Sequence, residues 1–194
     1  MDDAAYSEEY DDPYPSNDAE KATRLLKQSV DARHVADRGG YYFGASAAEE
    51  PFALGAELGL FHYFGSMVEG RGGLKGLAGT AERDWFLGGD FGLRLQAPTR
   101  IAPFAGVGTF LGGNQHHELA INDHIDNDDD MSVDERGEQK KFSDFMASVY
   151  PEVGIHFWVN SHARLTAGAQ YHLTTQGRDD DFWFLGMTLS VLQK

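Results

Sequence analysis

"FALGAELGLFHYFG", Phe52 to Gly65, alternates two kinds of residue. Its even positions are Phe52, Leu54, Ala56, Leu58, Leu60, His62 and Phe64, and its odd positions are Ala53, Gly55, Glu57, Gly59, Phe61, Tyr63 and Gly65. A period of two belongs to an extended strand, whose successive side chains point to opposite faces. One face here is greasy along most of its length, and the other is small and carries an acid. Glycine is a poor strand former, and a carboxylate is rarely found in a core. The rest of the chain has to explain why glycines and a charge share one side of a strand while Leu and Phe take the other.

The same alternation recurs from Gly39 to the end. "YYFGASA" precedes the opening stretch, and the glycine-rich "MVEGRGGLKGLAG", the least regular of the set, follows it. In "DWFLGGDFGLRLQA" Trp85, Leu87, Phe91, Leu93 and Leu95 lie opposite Phe86, Gly88, Asp90, Gly92, Arg94 and Gln96. "IAPFAGVGTFLGG" continues the theme. "FMASVYPEVGIHFWV" sets Phe145, Val149, Val153, Ile155 and Phe157 against Met146, Ser148, Tyr150, Glu152, His156 and Trp158. "HARLTAGAQYHLT" sets Leu165, Ala167, Ala169 and Leu173 against Arg164, Gln170 and His172, and "FWFLGMTLSVL" closes the chain. These are eight strands, most of 10 or more residues, where soluble sheets average about five or six. No helical segment separates them, so the sheet is expected to be antiparallel. Alternating segments of about ten residues, even in number, are the signature of an outer-membrane barrel.

The connections support this reading. "AEEP", "TAERD", residues 113–142 and "TTQGRDDD" alternate with a tight turn near 65–70, "PTR" and "NSH". Outer-membrane barrels place short turns on the periplasmic rim and longer loops outside. The aromatics Tyr41, Phe43, Phe64, Phe157 and Trp158 fall towards the first rim, and Phe52, Trp85, Phe145, Phe182 and Trp183 towards the second. Two such girdles mark the membrane interfaces.

Composition narrows the function classes. The 194-residue chain has no cysteine, which excludes disulfides, thiolate metal sites and a cysteine nucleophile. Its net charge of -15 argues against a nucleic-acid partner. Residues 1–20 hold eight of the 31 acids and residues 113–142 hold nine, so two acidic segments are attached to a more neutral body. The start, "MDDAAYSEEYDD", has neither the basic nor the apolar part of a signal peptide, which is taken as already removed from an outer-membrane chain. Residues 1–38 are read as an acidic disordered segment followed by a possible amphipathic helix over about 18–36, with Asn17 and Glu20 in capping positions. Residues 39–194 are read as the barrel, with 113–142 as a long acidic extracellular loop.

From Gly39 onward the chain resembles the small bacterial outer-membrane barrels of the OmpA/OmpX type. The closing "GMTLSV", with Gly186, Leu189 and Val191, looks like that family's assembly signal, although the chain ends on Gln193-Lys194 rather than an aromatic. The expected fold is therefore all-β, an eight-stranded antiparallel transmembrane up-and-down β-barrel with an acidic, partly helical N-terminal extension. The resemblance implies a location in the bacterial outer membrane.

An eight-stranded barrel has an interior just wide enough for side chains to fill it. Inward glycines then make room for larger neighbours, and inward charges must pair. By strand parity the luminal set is Glu57, Asp90, Arg94, Glu152, His156, Arg164, Gln170 and His172, which suits an ion-pair network. The expected role is non-enzymatic, in envelope structure or surface interaction. Outer-membrane lipid and lipopolysaccharide are the surroundings, and a protein partner on the surface or in the periplasm stays unidentified. A narrow ion channel is the second reading. A lipid A-modifying enzyme is a third, because "AQYHLTTQG" places His172 and Thr174 like the histidine–x–serine segment of lipid A deacylases. A soluble calycin-like ligand-binding barrel, apolar inside, is a fourth. His116, His117, Asp123, His124, Asp126 and Asp128–Asp130 could bind Ca²⁺ or Zn²⁺, but they do not fit a calcium-loop pattern and are read as solvated. No metal or cofactor is expected.

Overall fold

The structure is a computed structural model that describes residues 12–13, 15, 17–30, 37–49, 52–79, 85–119, 139–160, 162–176 and 181–193, with the backbone alone at 28–30, 116–119 and 139–142. The readings of residues 1–11 as disordered, of 31–36 as helical and of 120–138 as an acidic loop lie outside these residues. Among the described residues one helix, α1 (Asp18–Val30), precedes eight strands: β1 (Gly39–Ala48), β2 (Ala53–Tyr63), β3 (Val68–Gly79), β4 (Trp85–Gln96), β5 (Ile101–Leu119), β6 (Gln139–Trp158), β7 (Ala163–Thr174) and β8 (Phe182–Leu192). Asn17 caps the helix, its Oδ1 accepting from the Ala19 N–H at 3.0 Å.

Each strand pairs antiparallel with the next, and β1 closes the sheet onto β8 from Gly40↔Leu192 to Ala48↔Phe184. The result is a closed up-and-down barrel with no free edge along its wall. The parity seen in the sequence holds throughout. Leu58 is 58% exposed beside Glu57 at 4%, and Leu93 is 54% exposed beside Arg94 at 5%. The apolar face is outside and the charged face inside, which is the reverse of the soluble calycin-like arrangement.

Inward glycines make this interior possible. A Cβ on Gly108 would overlap the ring of Tyr150, and one on Gly154 the ring of Phe104. Tyr150 uses that room to donate to Asp90 Oδ1 at 2.7 Å. Gly108→Val is expected to displace Tyr150 and lower stability by about 1–3 kcal/mol, the usual cost of overpacking. Denaturant unfolding of the refolded barrel measures this, and an unchanged midpoint would mean that the ring does not need the gap.

The short connections β2–β3, β4–β5 and β6–β7 share one rim with the start of β1 and the end of β8. In the last of these turns Asn160 Oδ1 accepts from the backbone N–H groups of His162 and Ala163, both at 2.8 Å. Arg100 donates to the Trp158 carbonyl at 2.9 Å, tying two turns together.

The opposite rim is dominated by the β5–β6 hairpin, paired from Ile101↔Phe157 out to Leu119↔Gln139. Its neighbours stop earlier, β4 at Trp85↔Gln115 and β7 at Thr174↔Ser148. Residues 113–119 and 139–142 therefore belong to strands rather than to the connection expected over 113–142. The apolar alternation fades there because these strands run past the rim. The backbone ladder continues without it. Two aromatics assigned to the girdles also turn inward: Trp158 is 1% exposed and Phe182 is 8% exposed.

Candidate functional site

The lumen holds the chemistry of the molecule. Among the described residues the buried charged side chains are Glu57, Glu69, Arg71, Lys75, Asp90, Arg94, Glu152 and Arg164, four acids and four bases. They form one connected set. Arg94 grips Glu152 with two parallel bonds, Nε to Oε1 at 2.8 Å and Nη2 to Oε2 at 3.0 Å. Such a fork is the strongest form of the pair. Its third nitrogen reaches Glu69 at 3.4 Å, and Glu69 also pairs with Arg164. Arg164 bonds Tyr63 and donates to Ser190 Oγ at 3.2 Å.

A second group sits beside it. Arg71 donates to Glu57 at 2.7 Å and lies 3.3 Å from Asp90. Lys75 lies 3.1 Å from Asp90 and donates to Gln170 at 2.7 Å. Gln170 in turn donates to Glu152 at 3.1 Å, which joins the two groups. Rings line the cations: Lys75 stands 3.9 Å over Phe184, Arg94 4.5 Å over Phe104, and Arg164 4.8 Å over Phe61. Cation–π contact suits cations stripped of water.

Of the residues expected in the lumen, Glu57, Asp90, Arg94, Glu152 and Arg164 take part in these ion pairs, and Gln170 bridges them. The two histidines bond neutral groups instead. His156 meets Thr166 at 2.8 Å and stacks on Phe104, while His172 meets Ser148 at 2.8 Å and Gln170 at 3.2 Å. Three members were not anticipated: Glu69, Arg71 and Lys75, all on β3. Their alternation, Glu69-x-Arg71-x-Gly73-x-Lys75, stands in the sequence but is hidden by Gly70, Gly72 and Gly76 on the outward face.

Apolar layers close both ends of the charged zone. Tyr42, Phe61, Tyr63, Trp158 and Leu192 pack at the short-turn rim. Phe86, Phe110, Met146, Phe182 and Phe184 pack at the other, with Phe86 stacked on Phe110 at 3.9 Å. The cavity left among Glu57, Arg71, Arg94 and Glu152 measures about 10 Å³, the space of about one water.

His172, assigned a possible catalytic place with Thr174, is fully buried in this lumen. Among the described residues no group of three or more His, Asp or Glu side chains is placed to hold a metal ion. The side chains of His116 and His117 and residues 123–130 lie outside the described set.

No protein-family model matches the chain, and no curated protein sequence is similar to it. Solved structures are similar in fold. The N-terminal β-barrel domain of Pseudomonas aeruginosa OprF superposes with a TM-score of 0.50 at 11% identity, covering 81% of this chain and 98% of that one. Ail, the attachment invasion locus protein of Yersinia pestis, superposes with a TM-score of 0.54 at 9% identity, covering 82% of this chain and all of that one (100%). The chain thus has the fold of the eight-stranded outer-membrane barrels.

Proposed function

We propose that this protein is an integral outer-membrane barrel with a structural or surface-interaction role, neither a pore nor an enzyme. One observation carries the reading: among the described residues a charge-balanced ion-pair network is capped at both ends by apolar layers, and the cavity among Glu57, Arg71, Arg94 and Glu152 measures about 10 Å³. A buried charge costs several kcal/mol unless paired, so eight of them on five strands are retained as a plug that locks the wall in one register. Outside, Leu58, Leu60, Leu87, Phe91, Val107, Val153 and Met187 are each about half exposed or more, a surface suited to acyl chains. Outer-membrane lipid and lipopolysaccharide are its surroundings. The long β5–β6 hairpin rises from the rim of longer connections, which the short-periplasmic-turn rule assigns to the cell exterior. It is the part offered to a surface partner.

Planar-bilayer recording separates this reading from a narrow channel. The refolded protein is expected to insert without steady conductance. Reproducible current steps that track the amount of inserted protein would overturn the plugged reading.

A further inference from the structure

Two hollows adjoin on the outer wall at the short-turn rim. The larger, about 830 Å³, is an apolar groove walled by Phe64, Phe91, Leu93, Val107 and Val149. Gly70 and Gly72 carry no side chain on the outward face of β3, and the rings of Phe64 and Phe91 lean over them. The two glycines head the rows Gly70–Leu93–Val107–Pro151 and Gly72–Phe91–Thr109–Val149. The second hollow, about 460 Å³, is of mixed character, lined by Asp37, Arg38, His62 and Gln193 together with Leu60 and Phe61, and shares Gly70 with the first. Phe64 forms the ridge between them. Its ring lies over Gly70 and meets His62 edge-on with centroids 5.2 Å apart.

The smaller hollow is built by a special backbone. Asp37 has φ 55°, the one non-glycine positive φ among the described residues. That bend is held by Asp37 N–H to the Tyr63 carbonyl at 2.9 Å and Tyr63 N–H to the Arg38 carbonyl at 2.8 Å. Left-handed backbone at a non-glycine residue costs energy and tends to collect at ligand clamps.

We propose that the two hollows together bind one zwitterionic phospholipid. An acyl chain lies in the groove, the phosphate meets Arg38 and His62, and the headgroup ammonium meets Asp37. The inference rests on the membrane reading above. Charge complementarity selects the occupant. A cationic side chain at the interface attracts a lipid phosphate, and the acid beside it favours a headgroup that also carries a positive charge. A chain lying against Phe64, Phe91, Leu93, Val107 and Val149 gains dispersion contacts with their apolar side chains.

Native mass spectrometry of the refolded barrel in detergent tests this, with dioleoyl phosphatidylethanolamine, dioleoyl phosphatidylglycerol and dioleoylglycerol as probes. A one-to-one adduct is expected with the first, weaker retention of the second, and least of the third. Arg38→Gln should lower phosphatidylethanolamine retention by about fivefold. Asp37→Asn, which keeps the left-handed bend accessible, should remove the preference over phosphatidylglycerol. Gly72→Leu and Val107→Trp should each reduce the adduct, while Met187→Trp on β8, which lines neither hollow, should not. Equal retention of dioleoylglycerol, or groove variants that retain lipid like the parent, would overturn the site. If a groove variant does not fold, Arg38→Gln and Asp37→Asn decide on their own. Insertion of the parent into liposomes is read alongside: insertion with no adduct sinks this inference alone, and no insertion sinks both.

Discussion

Arg94→Ala is expected to destabilise the barrel by about 3–5 kcal/mol, the cost of leaving a buried partner charge uncompensated. That is a large share of the roughly 5–15 kcal/mol that holds a typical domain together. The substitution removes both bonds to Glu152 and the contact to Glu69. Glu152 would keep only the amide of Gln170, and Glu69 would keep Arg164. The packing of the guanidinium on Phe104 is lost as well. Glu152→Ala should be damaging for the mirror reason, and the double variant should cost clearly less than the sum, because no orphan charge remains. Arg94 with Glu57 should couple more weakly, since Glu57 is held by Arg71. Replacing Arg94 and Glu152 together by Met and Leu should come close to neutral, as apolar substitutes for buried pairs often do. Denaturant titration of the refolded protein gives all these values. Single variants within about 0.5 kcal/mol of the parent, the size of a surface change, would mean that the lumen is wet enough to solvate them.

The pairing pattern shows where sequence reasoning reaches its limit. Strand parity is enough to turn Glu57, Asp90, Arg94, Glu152 and Arg164 inward, because an alternation of period two survives any placement of the strand in the sheet. Parity says nothing about register, and register decides partners. The visible set held three acids and two arginines, which cannot balance. The missing charges came from β3, whose outward face carries Gly70, Gly72 and Gly76 and so presents no apolar alternation to read. Glu57 and Asp90 turn out to be served by Arg71 and Lys75, leaving Arg94 and Arg164 for Glu69 and Glu152. The barrel itself was legible because eight strands with the same inverted pattern have one economical closure. The length of the β5–β6 hairpin was not, since hydrogen-bonded strands beyond the rim need no apolar face. Trp158 and Phe182 carry a related ambiguity: an aromatic near a strand end suits both a girdle and an end cap, and its parity, inward for both, decides.

The outward face carries the second large effect. Arginine at Leu58 or Leu93 should cost about 2–4 kcal/mol when the barrel is folded in a bilayer. Both side chains are more than half exposed, and Leu58 sits between Phe43 and Leu74, themselves exposed, in the middle of the wall. A guanidinium placed there has no carboxylate in reach and must draw water or headgroups down to it. The cost should fall towards zero at Met67, which is 47% exposed in the short turn, because side chains near the interface reach polar groups. The depth dependence is what discriminates. A soluble barrel would tolerate arginine at every outward position alike, since each already faces water, and would show a flat profile from Leu58 to Met67. A profile that peaks at mid-strand in lipid requires hydrocarbon around the wall. The same inversion explains the opening strand: Leu58 is at ease where Glu57 could not be, and Glu57 is at ease only because Arg71 is there to meet it.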